Sequence, residues 1–274
     1  MSLMRAGVIG WPIVHSKSPL VHGHWLQQYG IDGEYDRIPV RPEELEGFMR
    51  DLRDNGLQGI NITVPHKVAA LDFVDEVTPA ARSIGAINTV LVQGGKLLGS
   101  NTDGYGFIEN LKAGGLGFDF RAGPAVVLGA GGAARAVLAG LLDAGVPEIR
   151  LVNRDPAKAK ALALRFGDRI GVVGWDHRHR TLAGANLLVN TTSLGMTGQP
   201  ELDLDLAALP AGALVNDIVY APLMTPLLAT ARTRGNPYVD GLGMLLHQAR
   251  PGFKAWFGHD PQVTPELRDA VLNP

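Results

Sequence analysis

Short apolar runs alternate along this chain with stretches of helical period, a rhythm that predicts an α/β protein built on parallel sheets. In the first half, strands are predicted over Ala6–Ile9, Glu34–Pro39 and Gly59–Val64. Helices are predicted over Pro19–Tyr29, Pro42–Asn55 and Lys67–Val74, with Gly30 and Gly56 where left-handed caps would end two of them. Asn88–Gln93 and Lys96–Ser100 flank Gly94-Gly95 and read as a hairpin. After Asn101-Thr102-Asp103-Gly104 a helix is predicted to Lys112, and Gly114-Gly115-Leu116-Gly117 reads as a hinge.

The second half repeats the rhythm. Strands are predicted over Ala125–Leu128, Ile149–Asn153, Leu187–Asn190, Leu214–Ile218 and Tyr238–Val239. A helix over Ala133–Ala144 follows the first of them, and helices over Gly243–Phe257 and Pro265–Leu272 end the chain. Those last two helices are expected to pack back on the first domain.

The strand Ala125–Leu128 runs into Gly129-Ala130-Gly131-Gly132-Ala133 and then a helix, the context a dinucleotide fingerprint requires. Gly129 suits the tight turn, Gly131 a close backbone approach to pyrophosphate, and Ala134 the contact of helix with strand. The free N–H groups and positive end of the helix would face the phosphates. About 20 positions on, a carboxylate would select ribose hydroxyls and repel a 2′-phosphate. This chain has Asn153-Arg154 there, then Lys158, which suits the phosphate of NADP. Asp155 stands against that choice unless it caps the helix that Pro156 begins. Arg154 read alone is equally an ordinary surface charge.

Composition narrows the classes. The chain has 274 residues, enough for two α/β domains, and 25 basic against 27 acidic residues give a net charge of −2. No global pull toward nucleic acid or anionic membrane is expected. Cysteine is absent, which excludes disulfides and thiolate chemistry and suits a cytoplasmic location. The apolar stretch over 122–142 reads as strand plus helix rather than a membrane span. His177 and His179 fall in a polar loop, and no metal site is expected.

Candidate chemistry lies upstream. Ser18-Pro19 reads as an N-cap with proline at the first helical position, and the same geometry would make an anion site with Ser16. In Asn61-Ile62-Thr63-Val64-Pro65-His66-Lys67, alternation puts Asn61 and Thr63 on one strand face. Lys67 falls beyond the strand's carboxyl end, where burial and a helix N-terminus would disfavour its charged form and favour proton transfer. A solvated surface lysine is the plainer reading. Asp103 either caps its helix or pairs with Lys67, while Asn88 would suit a polyhydroxylated ligand.

Together these segments resemble the shikimate dehydrogenase family over nearly the whole chain. The resemblance rests on an ordered set: Ile9-Gly10-Trp11-Pro12 with His15-Ser16-Lys17-Ser18-Pro19, Asn61 to Lys67, Gly85-Ala86-Ile87-Asn88-Thr89, and Asn101 to Gly104. Gly129 to Ala133, Asn153-Arg154, Asp217-Ile218-Val219-Tyr220 and Asp240-Gly241-Leu242-Gly243 through Gln248-Ala249 follow in order. The resemblance implies an N-terminal α/β substrate domain, residues 1–103 completed by 241–274. A Rossmann-type NADP-binding domain would span 104–240, with a deep cleft between the two.

It further implies interconversion of shikimate and 3-dehydroshikimate by hydride transfer with NADP(H), in the biosynthesis of aromatic amino acids. Lys67 would accept and donate the proton, paired with Asp103. Ser16 and Ser18 would hold the carboxylate, with Asn61, Thr63, Asn88, Tyr220 and Gln248 also on the substrate. Gly129, Ala130, Gly131, Gly132, Ala133, Asn153, Arg154, Lys158, Ile218 and Gly241 would line the cofactor, with Thr192 and Ser193 near its redox end. The implied partners are the small-molecule substrate and, as one possible assembly, a second copy in a homodimer. Three other readings stand beside this one: a quinate/shikimate dehydrogenase using NAD or both cofactors, which Asp155 favours; a non-catalytic NADP-binding sensor; and a Rossmann oxidoreductase for an unrelated acid.

Overall fold

The structure, a computed structural model, describes residues 3–115 and 117–273, and it divides into two compact units. One comprises Met1–Thr102 with Leu245–Pro274; the other is Asp103–Met244. Part of the predicted hinge, Leu116, lies outside the described residues. Among the described residues, no helix is long and apolar enough to cross a membrane.

In the first unit β1 (Met4–Gly10), β2 (Gly33–Pro39) and β3 (Leu57–Ile62) are parallel, joined through α1 (Ser18–Gln28) and α2 (Leu45–Asp51). The sheet then turns antiparallel where the predicted hairpin joins it; the hairpin is expected from the sequence, its antiparallel pairing beside β3 is not. A short β4 (Glu76–Val77) and α3 (Pro79–Ile84) lead to the hairpin of β5 (Thr89–Gln93) and β6 (Lys96–Ser100). β5 pairs antiparallel with β3, giving the order β2-β1-β3-β5-β6-β4. Gly94 and Gly95 turn the hairpin with φ of 59° and 75°, the pair of positive angles a two-residue turn needs. β3 approaches its neighbours closely at Gly59. A Cβ there would lie 2.1 Å from Val90 O and 2.2 Å from Trp256 Nε1, which itself donates to Val90 O at 3.0 Å.

Two helix expectations fail in this unit. Residues 64–68 are turn, followed by a 3-10 segment at Ala69–Phe73, so no α-helix begins at Lys67. Pro65 has no N–H for a ladder, and the apolar residues after it, Val68, Leu71, Phe73 and Val74, do not keep one helical face. α2 ends at Asp51, so Gly56, despite its φ of 83°, is a turn residue five positions beyond rather than a helix cap.

In the second unit α4 (Asp103–Gly114) precedes β7 (Ala125–Leu128), α5 (Gly132–Asp143), β8 (Ile149–Asn153), α6 (Pro156–Phe166) and β9 (Ile170–Gly174). β10 (Leu187–Asn190), β11 (Leu214–Asp217), α7 (Pro226–Arg234) and β12 (Tyr238–Val239) complete it. Its six strands are all parallel in the order β12-β11-β10-β7-β8-β9, two mononucleotide-binding halves meeting between β7 and β10. The core lies on both faces: Ala125 and Val127 pack in one cluster, Val126 and Leu128 in the other. α5 buries Ala134, Val137, Leu138 and Leu141, the stripe its spacing predicts. α4 meets α5 through glycines. A Cβ on Gly104 would stand 2.9 Å from Ala136 O, and one on Gly140 would stand 3.1 Å from Gly104 O. α8 (Leu242–Phe257) and α9 (Pro265–Leu272) close the chain; α9 is capped by Thr264, whose side chain accepts from Leu267 N.

Candidate active site

The serine loop lies in the first unit. Ser16 Oγ accepts the Ser18 N–H at 3.3 Å, and Ser16 O accepts two hydrogen bonds from Arg37, at 2.9 and 2.6 Å. Lys17 Nζ reaches Val271 O at 2.8 Å. Lys17 is the N-cap, so Ser18 is the first helical residue rather than the cap predicted for it. The anion site therefore changes character. The Ser18 N–H is used by Ser16, Pro19 has none, and Leu20 N bonds Lys17 O. An anion here would be held by hydroxyls, not by open helix amides.

A buried polar network stands on β3, β5 and the chain after β6. Tyr35 donates to Asn61 Oδ1 at 2.6 Å; Asn61 Nδ2 donates to Asn88 O and to Thr89 Oγ1, both at 3.1 Å. Asn88 Oδ1 accepts from Thr102 N at 2.8 Å and from Thr89 Oγ1 at 3.0 Å. Asn88 Nδ2 donates to Thr102 Oγ1 at 3.0 Å and to Gln248 Oε1 at 3.2 Å. Asn61, Asn88 and Gln248 are thus brought together, and both asparagines have their amide hydrogens engaged. Sequence reasoning assigned no role to Tyr35, Thr89 or Thr102. Tyr35 does stand out as a lone aromatic among Glu34, Asp36 and Arg37 on its strand. Burial pushes the Tyr35 hydroxyl well above its usual range, which keeps it a donor. The His22 ring stacks on it at 3.9 Å and is pulled down to about 3 by burial, so it is neutral.

Thr63 follows β3, half-buried, with its N–H on Ile9 O. His66 is buried with Nε2 2.7 Å from Val40 O, a structural bond. Lys67 is half-buried, and its carbonyl accepts from Ile87 N at 2.8 Å, tying its turn to the segment that carries Asn88. The helix-dipole part of the expectation for Lys67 does not hold, because its turn leads only into a 3-10 segment.

In the second unit, Asp103 is buried at the first residue of α4. At the end of β7, Gly129 has φ of 103°, and a Cβ there would lie 2.7 Å from Thr191 Oγ1. Gly131 caps α5 without a side chain, and Gly131 and Gly132 face open space. With Ala130 and Ala133 half-buried beside them, this is a cradle that a pyrophosphate fits. Asp155 is the N-cap of α6, its carboxylate accepting from Ala157 N and Lys158 N at 3.0 and 3.3 Å. Asn153 Nδ2 donates to Asp155 O at 2.8 Å, and Arg154 is exposed with no carboxylate partner among the described residues. The residue that counted against a phosphate is therefore turned into the helix.

The loops after β10 and β11 share one carboxylate. Asp217 accepts from Asn190 Nδ2 at 3.0 Å, Val219 N at 3.0 Å and Thr225 Oγ1 at 2.7 Å. Asn190 Oδ1 in turn accepts the N–H and hydroxyl of Thr192, at 3.0 and 2.7 Å, while Ser193 is exposed. Ile218 and Tyr220 are half-buried on the second of these loops, and burial raises the Tyr220 hydroxyl. Gly241 lies against the same backbone; a Cβ there would meet Ile218 O at 2.2 Å.

Burial pushes the Asp217 carboxyl up to about 6, against the pull of its three donors, Thr225 foremost. An unfolded carboxyl titrates near 4, so the folded state holds the proton more tightly. Ionisation of Asp217 therefore costs the fold about 3 kcal/mol above pH 6, a cost that disappears as pH falls toward 4. The denaturant midpoint of the wild type should accordingly rise relative to that of Asp217→Asn on going from pH 7.5 to 5, whichever of the two is the higher at pH 7.5. Parallel curves would contradict the shift.

Residues 8–90 match the family model described as the shikimate dehydrogenase substrate binding domain, residues 115–196 that of shikimate/quinate 5-dehydrogenase, and residues 241–272 that of the shikimate 5′-dehydrogenase C-terminal domain. The shikimate dehydrogenase (NADP(+)) of Paramagnetospirillum magneticum is 60% identical over 269 residues, 98% of each chain. Among solved structures, the shikimate 5-dehydrogenase of Thermus thermophilus in complex with NADP(H) and shikimate superposes with a TM-score of 0.88 at 39% identity, covering 98% of this chain and 99% of that one. The quinate dehydrogenase of Corynebacterium glutamicum in complex with NAD gives 0.92 at 30% identity, covering 99% of each. Backbone likeness alone does not separate those two chemistries.

Proposed function

The chain belongs to the shikimate dehydrogenase family and, as an NADP-dependent oxidoreductase, interconverts shikimate and 3-dehydroshikimate; on that premise we propose that Lys67 moves the proton, with Asp103 as its carboxylate partner. One observation carries this assignment. The Lys67 carbonyl is bonded to Ile87 N, so its turn is fixed beside the buried Asn61–Asn88–Gln248 network.

In the oxidising direction, Lys67 Nζ takes the proton of the 3-hydroxyl as that carbon gives up its hydride, and the O–H pair becomes the second bond of the ketone. In reduction the ammonium returns the proton. Asp103 orients the amine. The bound cofactor supplies the two-electron hydride chemistry. Ser16 and Ser18 hold the substrate carboxylate by their hydroxyls. Asn61, Thr63, Asn88, Tyr220 and Gln248 hold the ring substituents, the asparagines exchanging internal bonds for substrate ones. The glycine loop from Gly129 to Ala133 would take the pyrophosphate, Asn153, Arg154 and Lys158 the adenosine phosphate, and Thr192 and Ser193 the redox end, with Ile218 and Gly241 also lining the cofactor.

Ser16→Ala with Ser18→Ala should raise the KM for shikimate about tenfold or more, since two hydroxyl bonds to a charged group are lost. Because Ser16 also caps the Ser18 N–H, Ser18→Ala alone separates substrate binding from loop order. An unaltered KM in both variants contradicts the carboxylate assignment.

The reading as a whole is tested by absorbance of reduced nicotinamide with shikimate or quinate, each with NADP or NAD. Turnover dominated by shikimate with NADP is expected, because the Asp155 carboxylate is occupied by helix amides. Comparable rates with quinate or NAD would move the protein to the broader dehydrogenases. A cytoplasmic location and a homodimer extend the same proposal, and light scattering at assay concentration measures the assembly.

A further inference from the structure

β8 and β9 end side by side, with Asn153 paired to Gly174. Arg154 and Trp175 are the residues that follow each strand, and the Arg154 guanidinium carbon stands 5.9 Å from the indole centroid. The indole is itself fixed. Arg178 lies over it at 5.2 Å, donates to Trp175 O at 3.2 Å and to Asp203 O at 2.8 Å, and is ion-paired with the Asp203 carboxylate. The Arg178 side chain is only 12% exposed.

The two arginines on this ring, and Lys158 four positions after Arg154, are in different states. Arg178 is neutralised by Asp203, and Lys158 Nζ lies 3.9 Å from the Asp155 carboxylate. Arg154 meets an aromatic face instead. A ring quadrupole attracts a guanidinium without supplying a counter-charge, whereas a carboxylate in that place would compete with any incoming anion.

We propose that Trp175 is a specificity-determining positioning residue: its indole holds Arg154 in place, with its charge unspent, for the 2′-phosphate monoester of the dinucleotide. This rests on the NADP reading of Arg154 given above. Trp175 acts through Arg154, so its effect must depend on the phosphate and vanish when Arg154 is removed.

Calorimetry with two fragments reads this without turnover. Adenosine 2′,5′-bisphosphate and adenosine 5′-monophosphate are titrated into the wild type, Trp175→Ala, Trp175→Phe, Arg154→Ala and the double alanine variant. Trp175→Ala should weaken the bisphosphate about three- to tenfold and leave the monophosphate unchanged, with Trp175→Phe in between. The double variant should bind the bisphosphate no worse than Arg154→Ala alone. Equal losses on both fragments, with the Phe variant no better than Ala, would mean the indole serves the base or the fold, and would overturn the proposal. So would losses that multiply in the double variant. If Arg154→Ala keeps full preference for the bisphosphate, the clamp itself is refuted, and the role of Trp175 with it.

Discussion

Lys67→Ala is expected to lower kcat for shikimate oxidation by about 10²–10⁴-fold, the usual worth of a positioned acid–base group. The fold should survive, because the bond that fixes the Lys67 turn is made by its backbone carbonyl with Ile87 N, not by the side chain. Affinity for NADP should stay within a factor of two, since the glycine loop and Arg154 belong to the other compact unit. Steady-state kinetics with calorimetric NADP binding makes the check. Unchanged turnover removes Lys67 from proton transfer; lost turnover together with lost NADP binding points to misfolding instead.

Arg154→Ala should be the largest effect on cofactor choice. Charge-assisted bonds are worth about 1.5–3 kcal/mol, so the KM for NADP should rise roughly 10- to 100-fold, toward the lower figure because solvent screens an exposed arginine. The KM for NAD should hardly move, since that cofactor lacks the phosphate. Parallel kinetics with both cofactors decides it: equal losses would mean that Arg154 does not discriminate between them.

Much of this is legible in the sequence because it is local. The strand–glycine–helix turn at Gly129, the two-glycine hairpin at Gly94-Gly95 and the Thr264-Pro265 start of the last helix each carry their cause within a few residues. So does Asp155-Pro156, whose capping role follows from side-chain chemistry at a helix start. What is illegible depends on distant partners. That β5 joins the first sheet antiparallel beside β3 is set by pairing across the chain, which no local pattern encodes. Thr102 enters the site through Asn88 and Gln248, 14 and 146 residues away. Asp217 is read as a motif residue, but its role as a knot needs Asn190 and Thr225. The turn at Lys67 escapes for another reason: an apolar-rich segment after a proline carries helix-like content without a helical face. Trp175 gives no signal at all until β8 and β9 are seen to end together.

The glycine contact between α4 and α5 has a mechanical consequence. Side chains between helices act as compliant spacers, because rotamers can yield; two backbones touching directly have nothing to compress. Asp103 begins one of these helices and the dinucleotide loop opens the other. The separation of the Asp103 carboxylate from the glycine loop is therefore a fixed dimension of a single stiff part, and a methyl group at Gly104 or Gly140 would act as a shim, displacing the carboxylate proposed to partner Lys67 without touching it.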